Sequence, residues 1–336
     1  SRFGNTIPLR YWYLKGNQAK ARELFAEFPM MLEFFEGYIG PYPFGDEKMG
    51  VVQTPHLGME HQTVNAYGND YKKSEFGYDW LLQHEFAHEW FGNQLTNSDW
   101  DDMWLHEGYG TYMQPLYLQW LRGDMEYYAN LMKHRTDLIN KFPVVSGHTQ
   151  TGSQVYDEAT GPGHDLYYKG SLVLHTLRNL IGDRDFFAVT RQAVYGTDKP
   201  APGNFKPRYL STPQYIDIVN KVTGRDYRWF FDVYLYQAAL PELIAERDAK
   251  GLSLRWKTQG GKPFPMPLEV RVDGRERVVA MKDGSGRIDM PAGAAYTIDP
   301  HSKVLRALPY MEAFKADKAA REKAAQAAKA ANPNKK

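Results

Sequence analysis

Cysteine is absent from the 336 residues, which excludes disulfides and thiolate metal ligands and leaves histidine and the carboxylates as the groups able to grip a transition metal. Charge of one sign is lacking as well. With 41 Lys and Arg against 40 Asp and Glu, a net of +1, no overall field draws the chain to nucleic acid or to an anionic membrane. Nor does any apolar run reach the roughly 18 residues that cross a bilayer. Neither partner is expected. The lack of cysteine leaves the compartment open, so a soluble protein could be periplasmic, secreted or cytoplasmic. No signal peptide is visible and Ser1 is not an initiator, which suggests a processed or excised fragment. The remaining composition, 43% hydrophobic, is that of an ordinary globular protein of two or three domains.

Against that plain background one stretch carries chemistry. His84-Glu85-Phe86-Ala87-His88 is followed, after 18 intervening residues, by Glu107 in Trp104-Leu105-His106-Glu107-Gly108. On a helix, residues four apart project from one face, so His84 and His88 can hold a single ion. Glu85 lies about 100° round that helix, too far to be an equal ligand but within reach of a water on the metal. The intervening loop, Gly92 to Ser98, is long enough for the chain to return on a second helix bearing Glu107. Two His and one Glu leave a fourth position open, the arrangement of a catalytic zinc site and not of a structural one. Apolar residues Trp80, Leu81, Leu82, Phe86, Ala87, Trp90 and Phe91 surround the motif on most sides, which predicts a buried helix. Buried imidazoles and carboxylates need partners, and a divalent cation satisfies them together.

Upstream, Ile7 to Leu14 reads as a strand with no obvious partner nearby. Residues 17 to 38 repeat apolar groups at helical spacing, with Pro29 as an irregularity. Lys48 to Gln53 predicts a short strand and Gly58 to Tyr67 a second extended segment, giving a small sheet whose edge borders the metal and could pair with an extended peptide. Downstream, residues 103 to 122 predict a long helix ended by Gly123, with another to about Asn140. Val145 to Gly163, rich in Gly, Ser, Thr and Asp, reads as a loop. Helices follow over 166–181, 185–195, 212–222 and 227–237. From Leu252 the pattern changes to short alternating segments separated by Asp-Gly turns, an antiparallel sandwich of small size. After Pro309 the Ala, Lys and Glu-rich tail predicts a polar, solvated helix.

Four blocks together, Gly58-Met59-Glu60-His61, His84 to Asn93, Trp104 to Tyr109 and Tyr167-Tyr168-Lys169-Gly170, resemble the signatures of the M1 family of zinc aminopeptidases, in the gluzincin group. The resemblance implies Zn²⁺ held by His84, His88 and Glu107. It implies Glu85 as general base, Tyr167 as donor to the oxyanion, and Gly58, Met59, Glu60 and His61 as substrate-binding residues, with Glu60 pairing with the free α-ammonium. The substrates would be peptides with a free N-terminus. Three departures from the family pattern stand out: His61 and His106 where Asn is usual, and Gln114 where an acidic residue is usual. A carboxylate orienting a ligand imidazole could come from Asp99, Asp101 or Asp102 instead.

The expected fold class is α+β, a thermolysin-like, mostly helical zinc peptidase domain with a small mixed sheet, followed by a small antiparallel β-sandwich. Its expected division is 1–14 as the end of a preceding β-domain, 15–240 as the peptidase domain, 241–308 as the sandwich and 309–336 as the helical tail. Two other readings stay open: an endopeptidase of the same zinc class, and a zinc-binding but inactive or weakly active fragment serving as a binding module.

Overall fold

The computed structural model describes residues 1–331. The opening strand, β1 (Leu9–Trp12), finds its partner some forty residues on, pairing in parallel with β2 (Met49–Gln53). Between them lie α1 (Gln18–Phe25) and α2 (Phe28–Tyr38), which the single helical period over 17–38 had merged. The break falls just ahead of Pro29, whose ring is tolerated in the first turn of α2.

The extended segment after β2 is not one strand but two. β3 (Gly58–Met59) and β4 (Val64–Tyr67) are separated by a turn in which Thr63 takes a left-handed φ of 60°. The four-stranded sheet runs β1-β2-β4-β3, parallel except for the last pair, so β3 is an edge.

α3 (Trp80–Ala87) is started by Asp79, whose side chain accepts from the backbone N–H of Leu81 and Leu82. α2 packs on the apolar face of α3 and on the turn that follows: Phe28 meets Phe86 edge-on at 5.1 Å, and Phe35 stacks on Trp90, just past the helix end, at 4.7 Å. Trp80, expected inside, is 36% exposed at the helix start. A short strand, β5 (Leu95–Asn97), then pairs with the distant β6 (Arg208–Leu210).

α4 (Trp104–Arg122) is buried along most of its length and ends at Gly123, whose φ of 93° is open to glycine. α5 (Asp124–Thr136) returns beside it. The stretch read as a loop contains a helix, α6 (Gly152–Tyr156), opened by a reciprocal capping box between Thr151 and Gln154. A 3-10 turn, Gly163–Leu166, leads through Tyr167 into α7 (Tyr168–Ile181). α4 and α7 touch through glycine: a Cβ on Gly108 would stand 3.0 Å from Gly170 Cα. α8 (Asp183–Tyr195), α9 (Thr212–Thr223) and α10 (Arg228–Tyr234) complete the helical part.

Six strands follow: β7 (Glu242–Arg247), β8 (Gly251–Lys257), β9 (Leu268–Val272), β10 (Arg275–Val279), β11 (Ser285–Asp289) and β12 (Tyr296–Ile298). They form two antiparallel sheets, β11-β8-β7 and β10-β9-β12, with Leu252, Leu254, Trp256, Leu268 and Val270 buried. The segment after β12 turns back onto the helices, where Tyr234 Oη donates to Leu305 O (2.6 Å) and Arg135 Nη2 to Val304 O (3.2 Å).

The tail is helical as α11 (Pro309–Ala331), but its first turns are docked and not merely solvated. Met311 is buried there and Lys315 Nζ donates to Leu138 O. The expected continuation over 332–336 lies outside the described residues. Among the described residues no helix is long and apolar enough to cross a membrane.

Candidate metal centre

α3 carries His84 and Glu85, and its capping residue is His88; α4 brings Glu107 from the facing side. The atoms His84 Nε2, His88 Nε2 and Glu107 Oε2 form a triangle with edges of 3.1, 3.4 and 3.7 Å. Bonds of about 2.0–2.1 Å from one tetrahedral ion place its ligands roughly 3.3 Å apart. The three residues therefore fit a single small cation. The donor chemistry agrees. His88 Nδ1–H donates to Phe91 O at 2.7 Å, which turns Nε2 toward the triangle. Glu107 Oε2 is buried with no hydrogen-bond partner among the described residues, which suits a metal-ligand atom.

Electrostatics mark the same spot. Burial and the neighbouring His88 hold His84 at about 3. Burial disfavours the His88 imidazolium too, but the facing Glu107 carboxylate, 3.4 Å away, outweighs it and lifts His88 to about 10. Glu107, despite its burial, is held well below the usual carboxylate range by His88. Burial pushes Glu85 up to about 8, and its Oε2 has no partner. Such opposed shifts within one cluster are the mark of a functional site.

A cavity of about 620 Å³ opens over these residues and is lined also by Gly58, Met59 and Glu60. Gly58 is there because of its size: a Cβ would run into the Glu85 carboxylate. Glu60 Oε1 lies 3.3 Å from His106 Nε2, and although burial raises the carboxyl, His106 and His88 bring it down to about 2. Glu60 is thus an anion at neutral pH. His61 stands exposed in the turn and does not line the cavity. Beyond Glu85 a second cavity, of about 640 Å³, is bounded by Leu57, Trp80, Gln114 and Tyr168.

Glu60, His88 and His106 also come within ligand distance of one another. His88, however, has its Nδ1 on Phe91 and its Nε2 among the other triad, so Glu60 and His106 are left as a pair. Glu269, Glu276 and His301 form a further group on the strand surface. There Lys303 and Arg271 already neutralise the carboxylates.

Several contributors escaped the sequence reading. Glu89, fully buried, accepts from Thr63 N (2.9 Å) and Tyr42 Oη (3.1 Å), and Asn93 Nδ2 donates to Glu60 O (2.9 Å); together they fix the turn that presents Glu60. Tyr156 on α6 donates to Glu107 Oε1 at 3.0 Å, as Tyr167 does. The capping box Thr151-Gly152-Ser153-Gln154 was the available signal for that helix. The three aspartates considered as imidazole partners serve elsewhere. Asp99 accepts from Gln150 N, Asp101 from Ser146 N and Gly147 N, and Asp102 from Thr212 N. They tie the loop ahead of α6 and the first residue of α9 to the start of α4, and none bonds to the imidazole of His84 or His88. Among the described residues His84 Nδ1 has no hydrogen-bond partner, Gln114 included.

Residues 29–233 match the family model described as the Peptidase family M1 domain. Aminopeptidase N of Lactococcus lactis is 27% identical over 176 residues, 49% of this chain and 19% of that protein. Endoplasmic reticulum aminopeptidase 1 of Rattus norvegicus is 28% identical over 177 residues, 46% of this chain and 18% of that one. Among solved structures, a variant of the M1 zinc metallopeptidase of Deinococcus radiodurans, bound to a Tyr-Ser-Ala substrate, superposes with a TM-score of 0.57 at 25% identity. It covers 70% of this chain and 50% of its own. The chain thus spans about a fifth of the length of the two curated relatives and half that of the solved structure.

Proposed function

The chain belongs to peptidase family M1, and from that premise we propose that it is a zinc-dependent aminopeptidase releasing the first residue of peptides with a free N-terminus. The observation that carries this reading is a shared cavity. The anionic Glu60 and the triangle of His84, His88 and Glu107 line the same 620 Å³ space. A carboxylate beside the metal triangle pairs with an α-ammonium, so that a chain end, and not an internal bond, brings its first carbonyl to the reacting position.

In this reading His84, His88 and Glu107 hold zinc, which supplies a Lewis acid that polarises the scissile carbonyl and acidifies water. Glu85 takes a proton from the attacking water and returns it to the leaving amine. Burial alone would leave Glu85 protonated near neutrality; a dication beside it favours the carboxylate and restores the base. Tyr167, kept protonated by burial and by Glu107, donates its O–H to the developing oxyanion, a contact worth 10²–10³ in rate in comparable sites. Glu60 fixes the amine, and Gly58 keeps room beside Glu85 for the substrate backbone. The thermolysin-like placing of two ligand helices beside a small sheet belongs to the same reading. So does the division into a catalytic unit over 15–240 and a β-sandwich over 241–308.

Glu85→Gln tests the assignment. Zinc content should stay at one per chain while hydrolysis of aminoacyl chromogenic substrates falls by roughly 10²–10⁴. Retained activity rejects Glu85 as the base. Cleavage of N-acetylated peptides by the unmodified chain would instead indicate an endopeptidase, and stoichiometric zinc with no turnover on any free-amine peptide would indicate a binding module.

A further inference from the structure

Two phenols share one oxygen. Tyr156 Oη and Tyr167 Oη each lie 3.0 Å from Glu107 Oε1, on a carboxylate whose other oxygen faces the two imidazoles. A carboxylate oxygen offers about two lone-pair sites, so the two hydroxyls fill it. Both rings also line the cavities on either side of the metal triangle. Tyr167, in the functional reading above, cannot stay where it is: to reach a substrate oxyanion its hydroxyl must leave Glu107. A buried carboxylate oxygen that loses its donor is destabilised, and here that carboxylate is also a metal ligand.

Tyr156 has no such second task. Its ring rests edge-on against Trp100 at 6.2 Å. Its helix is fixed by the Thr151 and Gln154 capping box. The loop ahead of α6 is fastened by Asp99 and Asp101, which accept from Gln150 N, Ser146 N and Gly147 N just before α4 begins. The element that carries Tyr156 and the element that carries Glu107 are thereby joined, independently of Tyr167.

We propose that Tyr156 is a positioning residue that keeps Glu107 Oε1 hydrogen-bonded while Tyr167 departs to the substrate, an inference that rests on the aminopeptidase reading. Tyr156 matters more in the transition state because Tyr167 has moved; where Tyr167 has no hydroxyl to move, losing Tyr156 weakens ground state and transition state alike and leaves kcat unchanged.

The test is a double-mutant cycle of Tyr156→Phe and Tyr167→Phe, read in two ways: kcat and KM on an aminoacyl chromogenic substrate, and zinc affinity of the metal-free proteins by chelator competition. Tyr156→Phe should lower kcat roughly tenfold with KM unchanged, and should cost nothing further in the Tyr167→Phe background. Zinc affinity should hold in each single variant and fall roughly tenfold in the double, where Oε1 has lost both donors. Equal losses of kcat in both backgrounds would overturn the proposal, as would a zinc affinity in Tyr156→Phe as weak as in the double variant, which is the behaviour of a simple scaffold. A wild-type chain without turnover defeats the functional reading and leaves the affinity arm to decide: a double variant binding zinc like the singles overturns the role of Tyr156.

Discussion

Glu60 reaches the metal cavity from a turn, not from a regular strand, and that turn is held by buried side chains. Its backbone carbonyl is gripped by Asn93, and the N–H of Thr63 by Glu89. A charged anchor for an ammonium is worth about 1.5–3 kcal/mol. Glu60→Ala should therefore lower kcat/KM on free-amine substrates by roughly 10- to 100-fold, with zinc content unchanged. The variant should also lose discrimination against N-acetylated substrates. An unaltered preference for the free amine, read from the ratio of the two rates, would show that the ammonium is recognised elsewhere. At this scale the sequence was most informative. The offset of four puts His84 and His88 on one side of α3, a geometric constraint that tertiary context scarcely alters, and the packing of α4 against α3 adds the third donor, Glu107. Tyr156 and Glu89 were hidden for the opposite reason: their partners are 49 and 26 residues away, and no local pattern encodes a hydrogen bond across such a span.

The elements legible in the sequence are those whose own period decides them. α4 and α7 are long and apolar on the faces they bury, and the alternating segments β8 and β9 sit where the pattern put them. α6 was passed over because five residues of a Gly, Ser and Thr-rich stretch have no room for a helical period, and β6 because three residues have none for alternation. β7, Glu242–Arg247, carries its apolar residues side by side and becomes a strand by pairing with β8. Where helices meet, a single pair of glycines sets the distance between the element bearing Glu107 and the one that Tyr167 leads into. A Cβ on Gly108 would meet Gly170 Cα at 3.0 Å and Leu166 O at 3.2 Å, both of them backbone atoms with no rotamer to yield. Gly108→Ala must then part α4 from α7, at about 1–3 kcal/mol of overpacking. Its urea midpoint should fall at unchanged m-value, and turnover should drop with it as Tyr167 is shifted relative to the metal triangle. A variant with wild-type midpoint and rate would show that the two helices have slack.

Across the whole molecule, the seam between the helices and the segment after β12 is polar, and the buried Arg135 guanidinium, which donates to Ser302 O (3.1 Å), already supplies its positive charge. His175 on α7 donates from Nε2 to Ser302 O (3.0 Å), since a carbonyl can only accept, and its Nδ1 accepts from Tyr127 Oη (2.6 Å). Both ring nitrogens are engaged in the neutral form, and burial holds His175 at about 3. In the unfolded chain a histidine titrates near 6.5. Between those two values the unfolded state binds the extra proton, so the stability owed to His175 is fully present above about pH 6.5 and is lost as pH falls toward 3. Glu85 and Glu89, raised to about 8 by burial, take up protons in the folded state and pull the other way over the upper part of that range. The wild-type slope alone therefore mixes opposed contributions, and a difference isolates the histidine. Compared with His175→Gln, whose amide offers the same seam a donor and an acceptor with no proton to gain, the wild-type chain should lose about 1 kcal/mol more unfolding free energy between pH 6 and pH 5. Urea titrations of the two proteins at both pH values give that difference directly. Parallel losses would mean that His175 is protonated in the folded seam, with Tyr127 accepting from it in place of donating.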